Sequence, residues 1–321
     1  MRPPQGFHVR HAGSRELFRR LSAAHADRTD CLFLAGPRPR MTPFLTDPFW
    51  LAALAAGMAA TGLVAGLLAG LLGVGGGIVI VPVLFAILPF YGVSEAVLMK
   101  LAIGTSLATI IPTSIVSARK HHAKGALDWG LVRSLGPGIF AGAVAGTLLG
   151  LVFGGPLLAL VFGTIGLVVA LQLGFTGADA RLRDSLPGGP AGAAIGAGIG
   201  AASALMGIGG GTIGVPVMTM FGVPIRNAVA TASAFGLVIA VPGTVGFILG
   251  GLGNPALPPF SLGYVNLVGL ALIVPTSVIA TPWGVHLAHS IPPLLLKRCF
   301  AVFLAVTGGR MVWQVLERWL G

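Results

Sequence analysis

Residues 70–84 read GLLGVGGGIVIVPVL, inside a run from Phe49 to Ser94 that holds no Asp, Glu, Lys or Arg. Three further runs are equally free of charge: Ser134 to Ala178, Ser185 to Ile225 and Asn227 to Leu296. A helix crosses a bilayer core with about 20 apolar residues, and each run is long enough for two or more. Charged residues make up 9% of the 321 and hydrophobic ones 55%, whereas a soluble domain carries about 25% charge. A soluble fold could not cover these runs with so little charged surface. Hydrocarbon forces backbone groups to pair within the chain, and the runs lack the alternation of barrel strands. The sequence therefore predicts an all-α, polytopic protein embedded in the lipid bilayer.

The apolar part divides into segments near 49–72, 76–91, 94–119, 128–153 and 156–174, then 189–206, 210–222, 225–251, 261–288 and 291–317. A polar linker at 175–188 carries Asp179, Arg181, Arg183 and Asp184. Residues 1–48 are basic, interrupted by Pro37, Pro39 and Pro43, and read as a disordered tail in which Met41 offers a second start. The two membrane parts, 49–174 and 189–321, repeat each other. GLLGVGGGIVIVPVL matches ALMGIGGGTIGVPVM (204–218) at an offset of 134. Lys100 and Thr105 correspond to Arg226 and Thr231, and Asp128, Pro137 and Gly146 correspond to Asn266, Pro275 and Gly284. Such repeats are typical of secondary transporters, whose substrate site lies where the halves meet.

A net charge of +11 raises the question of nucleic acid. Eight of the 20 Lys and Arg residues fall in the tail, and the rest sit thinly at the ends of apolar runs. There is no basic stripe interleaved with aromatics, so nucleic acid is not a partner. Cys31 and Cys299 suggest no disulfide. His121 and His122 are adjacent and do not share a helix face, and His286 with His289 makes only half a metal site. Outside the tail the five carboxylates are scattered, and no hydrolase or nucleotide-binding motif appears. No enzymatic activity, cofactor or metal is expected.

Three consecutive glycines with a proline five residues later do not fit a straight helix. A break there bares backbone groups at membrane depth, which is tolerated where they line a polar path. Half-helix N termini then aim N–H donors at it, which suits an anion. Gly75, Gly76, Gly77 and Gly209, Gly210, Gly211 are therefore candidate substrate contacts, while Gly66 and Gly70 read as packing residues. The short pieces 76–91 and 210–222 are each half of a broken helix or of a re-entrant hairpin. Lys100 and Arg226, each alone ahead of a long span, are candidates for attracting the anion or for anchoring at the interface. Thr105, Ser106, Thr231 and Ser233 are candidate hydroxyl donors, with satisfaction of their own helix as the alternative.

Counting each glycine-broken segment as one crossing gives eight crossings and parallel repeats. A cytoplasmic N terminus then puts Arg119, Lys120, Lys124, Arg181 and Arg183 inside, as the positive-inside rule asks. Three or five segments per half would instead invert the repeats.

The paired GxGGG…P blocks, AIGTSLA (102–108), SARKHHAKGALDW (117–129) and SLGYVNL…P…WGVHLAH…KRCFA (261–301) together resemble the TauE/SafE family of sulfite exporters and anion permeases. The resemblance spans about 49–312. It implies a duplicated helical bundle in the plasma (bacterial inner) membrane that exports small sulfur-containing oxyanions such as sulfite or sulfonates, sulfoacetate among them. The second block departs from the first, reading ATAS (230–233) in place of GTSL (104–107). A non-transporting scaffold or receptor module of the same fold is the alternative, and a homo-oligomer is left open.

Overall fold

In the computed structural model, which describes residues 48–175, 186–288, 290 and 292–320, ten α-helices hold nearly all of the described chain. They are α1 (Pro48–Leu72), α2 (Gly77–Ile87), α3 (Glu95–Ala123), α4 (Trp129–Val152) and α5 (Gly155–Phe175). The second set is α6 (Gly189–Met206), α7 (Gly211–Met220), α8 (Ile225–Gly251), α9 (Leu267–Leu287) and α10 (Pro293–Leu320). Seven described helices, all except α2, α7 and α10, are long and apolar enough to cross a membrane. The tail, the linker charges Asp179, Arg181, Arg183 and Asp184, and His289 lie outside the described residues.

Local chemistry sets the helix ends. Glu95 opens α3 and Lys120 stands in its last turn, each complementing the helix dipole. Asp128 caps α4, its carboxylate accepting the N–H groups of Gly130 (2.8 Å) and Leu131 (3.1 Å). Asn266 caps α9 by accepting the Gly269 N–H at 2.7 Å. One stretch departs from the helical expectation. The start of the 261–288 segment forms an antiparallel strand pair, Ser261 opposite Asn266 and Leu262 opposite Val265. Pro258 and Pro259 lack the N–H a helix needs, and Gly263 turns the chain at φ 54°.

Neighbouring side chains give each helix its direction. Call the face where α1 begins the upper one. The lower end of α1 meets the lower end of α3, where His121 Nε2 lies 3.1 Å from the Gly70 carbonyl. α4 rises from there until its Leu151 carbonyl accepts from Lys100 Nζ (2.6 Å) near the upper end of α3. α5 descends from Gly155, which abuts the Glu95 carbonyl. α6 climbs parallel to α4, with Gly138, Gly142 and Gly146 against Ala193, Ala197 and Ala201. α8 rises, α9 descends parallel to α1, and α10 returns antiparallel to α5, with Gly308 against Gly163.

α2 and α7 do not continue the helices before them. Gly76 lies against the Ala65 carbonyl and Leu84 against Gly269, so α2 climbs back beside α1 towards the upper face. Gly214 lies against Ile199, and Met220 Sδ accepts from Gln172 Nε2 at the lower end of α5, so α7 falls back towards the lower face. Both glycine-broken segments are re-entrant hairpins. The count of eight crossings is therefore corrected. A broken helix that turned outward would have carried the chain across, but these return it to the side it came from. With five segments in each set, α1–α5 and α6–α10 run in opposite senses across the membrane.

The tightest packing is between the two sets. A β-carbon at Gly62 would meet the Ile273 carbonyl, and one at Gly196 the Leu135 carbonyl. Gly66 stands likewise to Ser277 and Gly200 to Ile139, while Gly284 stands to Leu67 and Gly146 to Ala201. In each couple the second contact follows from the first on shifting by 134 along α1 and α6 and by 138 along α4 and α9. Small residues let these backbones touch, the usual basis of helix association in lipid.

Candidate functional site

The two hairpin tips meet at the centre of the bundle. Gly77 abuts the Gly207 carbonyl and Gly211 abuts Gly73, a pair related by the same shift of 134. The Gly209 N–H donates to the Val74 carbonyl at 3.0 Å. Gly75 and Gly207 also lie against Ile110 and Ile103, which flank the middle of α3. The tips are thus at mid-membrane depth, and all six triplet glycines are buried.

The two triplets need glycine for different reasons. Gly75 and Gly76 hold φ of 73° and 80°, which a side chain disfavours. Gly210 has an ordinary φ of −60°, but a β-carbon there would strike that of Phe235. Gly76 and Gly77 open α2, and Gly210 and Gly211 open α7. First-turn N–H groups have no partner within their own helix. Among the described residues, no loop carbonyl takes the N–H of Gly75, Gly76, Gly210 or Gly211.

The freed carbonyls, by contrast, have partners, and most come from one stripe of α3. Ser106 Oγ donates to the Gly207 carbonyl (2.7 Å) and Ser117 Oγ to Ala69 (3.4 Å), while the Thr113 hydroxyl is shared between Gly75 (3.3 Å) and its own-helix Thr109 and Ile110 carbonyls (3.1 Å each). His121 continues the stripe onto Gly70. These residues recur at helical spacing on one face. Thr113 and Ser117 were not singled out from the sequence, and His121 was weighed there only as a metal ligand. Their four-residue spacing was visible there, yet Ser and Thr in apolar helices more often bond to their own preceding turn, as Thr147 and Thr281 do.

The remaining candidates are distributed as follows. Thr105 Oγ1 accepts the Asn266 N–H (2.8 Å), and Thr231 Oγ1 accepts the Asp128 N–H (3.2 Å). Each threonine thereby ties the start of a helix in the other set. Ser233 Oγ returns to the Ala230 carbonyl (2.6 Å), within its own helix. Lys100 is half-buried near the upper face, bonded to Leu151 and 5.8 Å from the centre of the Tyr264 ring. Arg226 is exposed at the lower end of α8. The structure brings together the glycines and Ser106, and it sends Lys100 and Arg226 to opposite faces.

The family described as "Sulfite exporter TauE/SafE" matches over residues 58–311. A "Probable membrane transporter protein" of Haemophilus influenzae is 38% identical over 242 residues, which is 74% of this chain and 90% of that protein. A protein of the same description from Methanocaldococcus jannaschii is 25% identical, covering 74% of this chain and 87% of its own. The Bacillus subtilis relative YunE, also described as a probable membrane transporter protein, is 24% identical over 80% of this chain and 97% of its own. No solved structure matches. A family match over nearly the whole bundle, with relatives described as transporters, makes this chain a membrane transporter of the TauE/SafE family.

Proposed function

We propose that the chain is a secondary transporter that exports small sulfur oxyanions, such as sulfite or sulfoacetate, past the meeting point of its two re-entrant hairpins. The observation that carries this reading is the convergence of two half-helix N termini at mid-depth. Their N–H groups point charge-complementary donors at an anion where hydrocarbon offers none. The α3 stripe engages the competing carbonyls, which would repel an anion. The family description supports reading the substrate as a sulfur oxyanion and the direction as outward, and such an anion suits these donors. The matched contacts at shifts of 134 and 138 support reading the chain as two inverted copies of one unit. Inverted repeats exchange roles as access alternates between the faces.

Orientation follows from charge. Among the described side chains, Arg119, Lys120, Lys124, Arg133, Arg226 and Arg298 stand at lower ends, with Asp128. Upper ends hold Lys100 and Arg310 beside Glu95 and Glu317. The positive-inside rule makes the lower face cytoplasmic. On this reading the Pro48 end of α1 lies outside, whereas the crossing count had paired a cytoplasmic 119–124 loop with a cytoplasmic N terminus.

Counterflow of labelled sulfite and sulfoacetate into proteoliposomes of the full chain tests the proposal. Exchange driven by unlabelled anion inside is the expected result. No exchange of either anion, in vesicles where the protein remains folded, would reject it.

A further inference from the structure

The two hairpins are not equal. They share one backbone plan, but their polar side chains differ. On α3, Thr113, Ser117 and His121 lie against carbonyls of the first hairpin, and Ser106 donates to the Gly207 carbonyl of the second. Shifted by 126, the α8 positions that match Thr113, Ser117 and His121 hold Ile239, Gly243 and Phe247. Among the described residues, no α8 side chain bonds to the second hairpin, yet that hairpin carries polar groups of its own. Ser203 on α6 and Thr212 on α7 are 0% and 2% exposed, and neither hydroxyl has a hydrogen-bond partner. The positions matching them in the first hairpin are Ala69 and Ile78.

Thr212 is the more telling of the two. It is the second residue of α7, a helix of 10 residues, so no preceding helical turn exists to accept its proton. Thr109, Thr147 and Thr281 all solve that problem by bonding back along their own helices. Helical side chains lean towards the N terminus, which directs the Thr212 hydroxyl to the same end as the free amides of Gly210 and Gly211. A buried hydroxyl left without a partner is costly, so its retention calls for a ligand present in part of the working cycle.

We infer that the anion is held at the second hairpin alone, by the Thr212 hydroxyl together with the first-turn amides of α7, giving each chain one asymmetric site. The inference rests on the transport reading above and names the residue that does the holding. A sulfur oxyanion presents several acceptor oxygens and no obligatory donor, and it matches a cluster of N–H groups with one rotatable O–H. When the tips part, Gly209 releases the Val74 carbonyl and its N–H joins the same cluster. The first hairpin offers Ile78 instead of a hydroxyl, and its carbonyls are already tied to α3. It acts as the wall against which the second closes.

Thr212→Val, Thr212→Ser and, as a control on α8, Thr244→Val separate the outcomes. Valine keeps the shape of threonine and removes only the hydroxyl. Loss of one hydrogen bond to a charged ligand should raise the half-saturation concentration for sulfite counterflow about ten- to a hundredfold. Thr212→Ser should stay within about threefold of the parent and Thr244→Val should match it. With no anion present, the melting temperature of Thr212→Val in detergent should equal or exceed the parent's, because an unpartnered buried hydroxyl has gone. Parental kinetics in Thr212→Val overturn the assignment. So does a lowered melting temperature with equal loss in Thr212→Ser, which would make the hydroxyl structural. A parent chain that exchanges neither sulfite nor sulfoacetate overturns the transport reading itself.

Discussion

At the scale of single residues, the threonines at 105 and 231 show how similar sequence positions acquire a role that sequence does not display. Both were legible as a pair because each follows a cation by five residues. Their hydroxyls were read as donors to substrate, whereas the structure has them accepting backbone N–H groups at the caps of α9 and α4. Nothing local reveals an acceptor 161 residues away. Thr105→Val leaves the buried Asn266 N–H without a partner and should cost about 1–3 kcal/mol of stability. Thr231→Val, where the bond is longer and only part-buried, should cost less. Thermal unfolding in detergent measures both, with Thr105→Ser expected near the parent. Equal stability of Thr105→Val and the parent would mean that the Asn266 N–H finds another acceptor.

At the scale of elements, the glycine triplets announced a break but not its direction. Three glycines permit a turn either way. The contacts of Gly76 with Ala65 and of the two tips with each other choose the hairpin, and these join residues far apart in sequence. The crossing helices were easier to find because long charge-free runs have few other uses. Even their glycines divide by neighbourhood, which composition hides. Gly142 on α4 touches the Ala197 backbone, whereas Gly198 on α6 has nothing within 4 Å of an added β-carbon. Gly142→Leu should push α4 from α6 and cut the yield of folded protein severely. Gly198→Leu should insert and migrate on gel filtration as the parent does. Matching profiles for the two variants would contradict the close packing of α4 on α6.

For the whole molecule, the opposed sense of the two helix sets makes sided predictions. Ala256→Cys, in the upper loop between α8 and α9, and Lys124→Cys, at the lower end of α3, should label from opposite sides. In intact cells an impermeant maleimide should reach the first and should reach the second only after permeabilisation. Labelling of both from outside would break the hairpin topology. Lys100 and Arg226 occupy matching sequence positions but opposite faces, so if they attract the anion they would do so at different mouths. Lys100→Gln should raise the half-saturation concentration for anion supplied on the upper face, and Arg226→Gln for anion supplied on the lower. Both effects should shrink as inert salt is added, since long-range attraction is screened. Oriented vesicles assayed at low and high salt measure this, and a defect in either variant that ignores the side of supply would reject the assignment of the two cations to two mouths.

The cross-pairing of helices also bears on how the protein is made. α1 finds its groove on α9 and α4 finds its groove on α6, so the partners are synthesised far apart in time. A chain emerging from its N terminus inserts α1 and holds that glycine face open until every later helix but α10 has been added. During that interval the small-residue surface around Gly62, Gly66 and Gly70 is available to any other helix in the bilayer. α4 waits only for α5 to pass before α6 arrives. The step most exposed to mispairing during biogenesis is thus the late arrival of α9 beside the first helix of the chain.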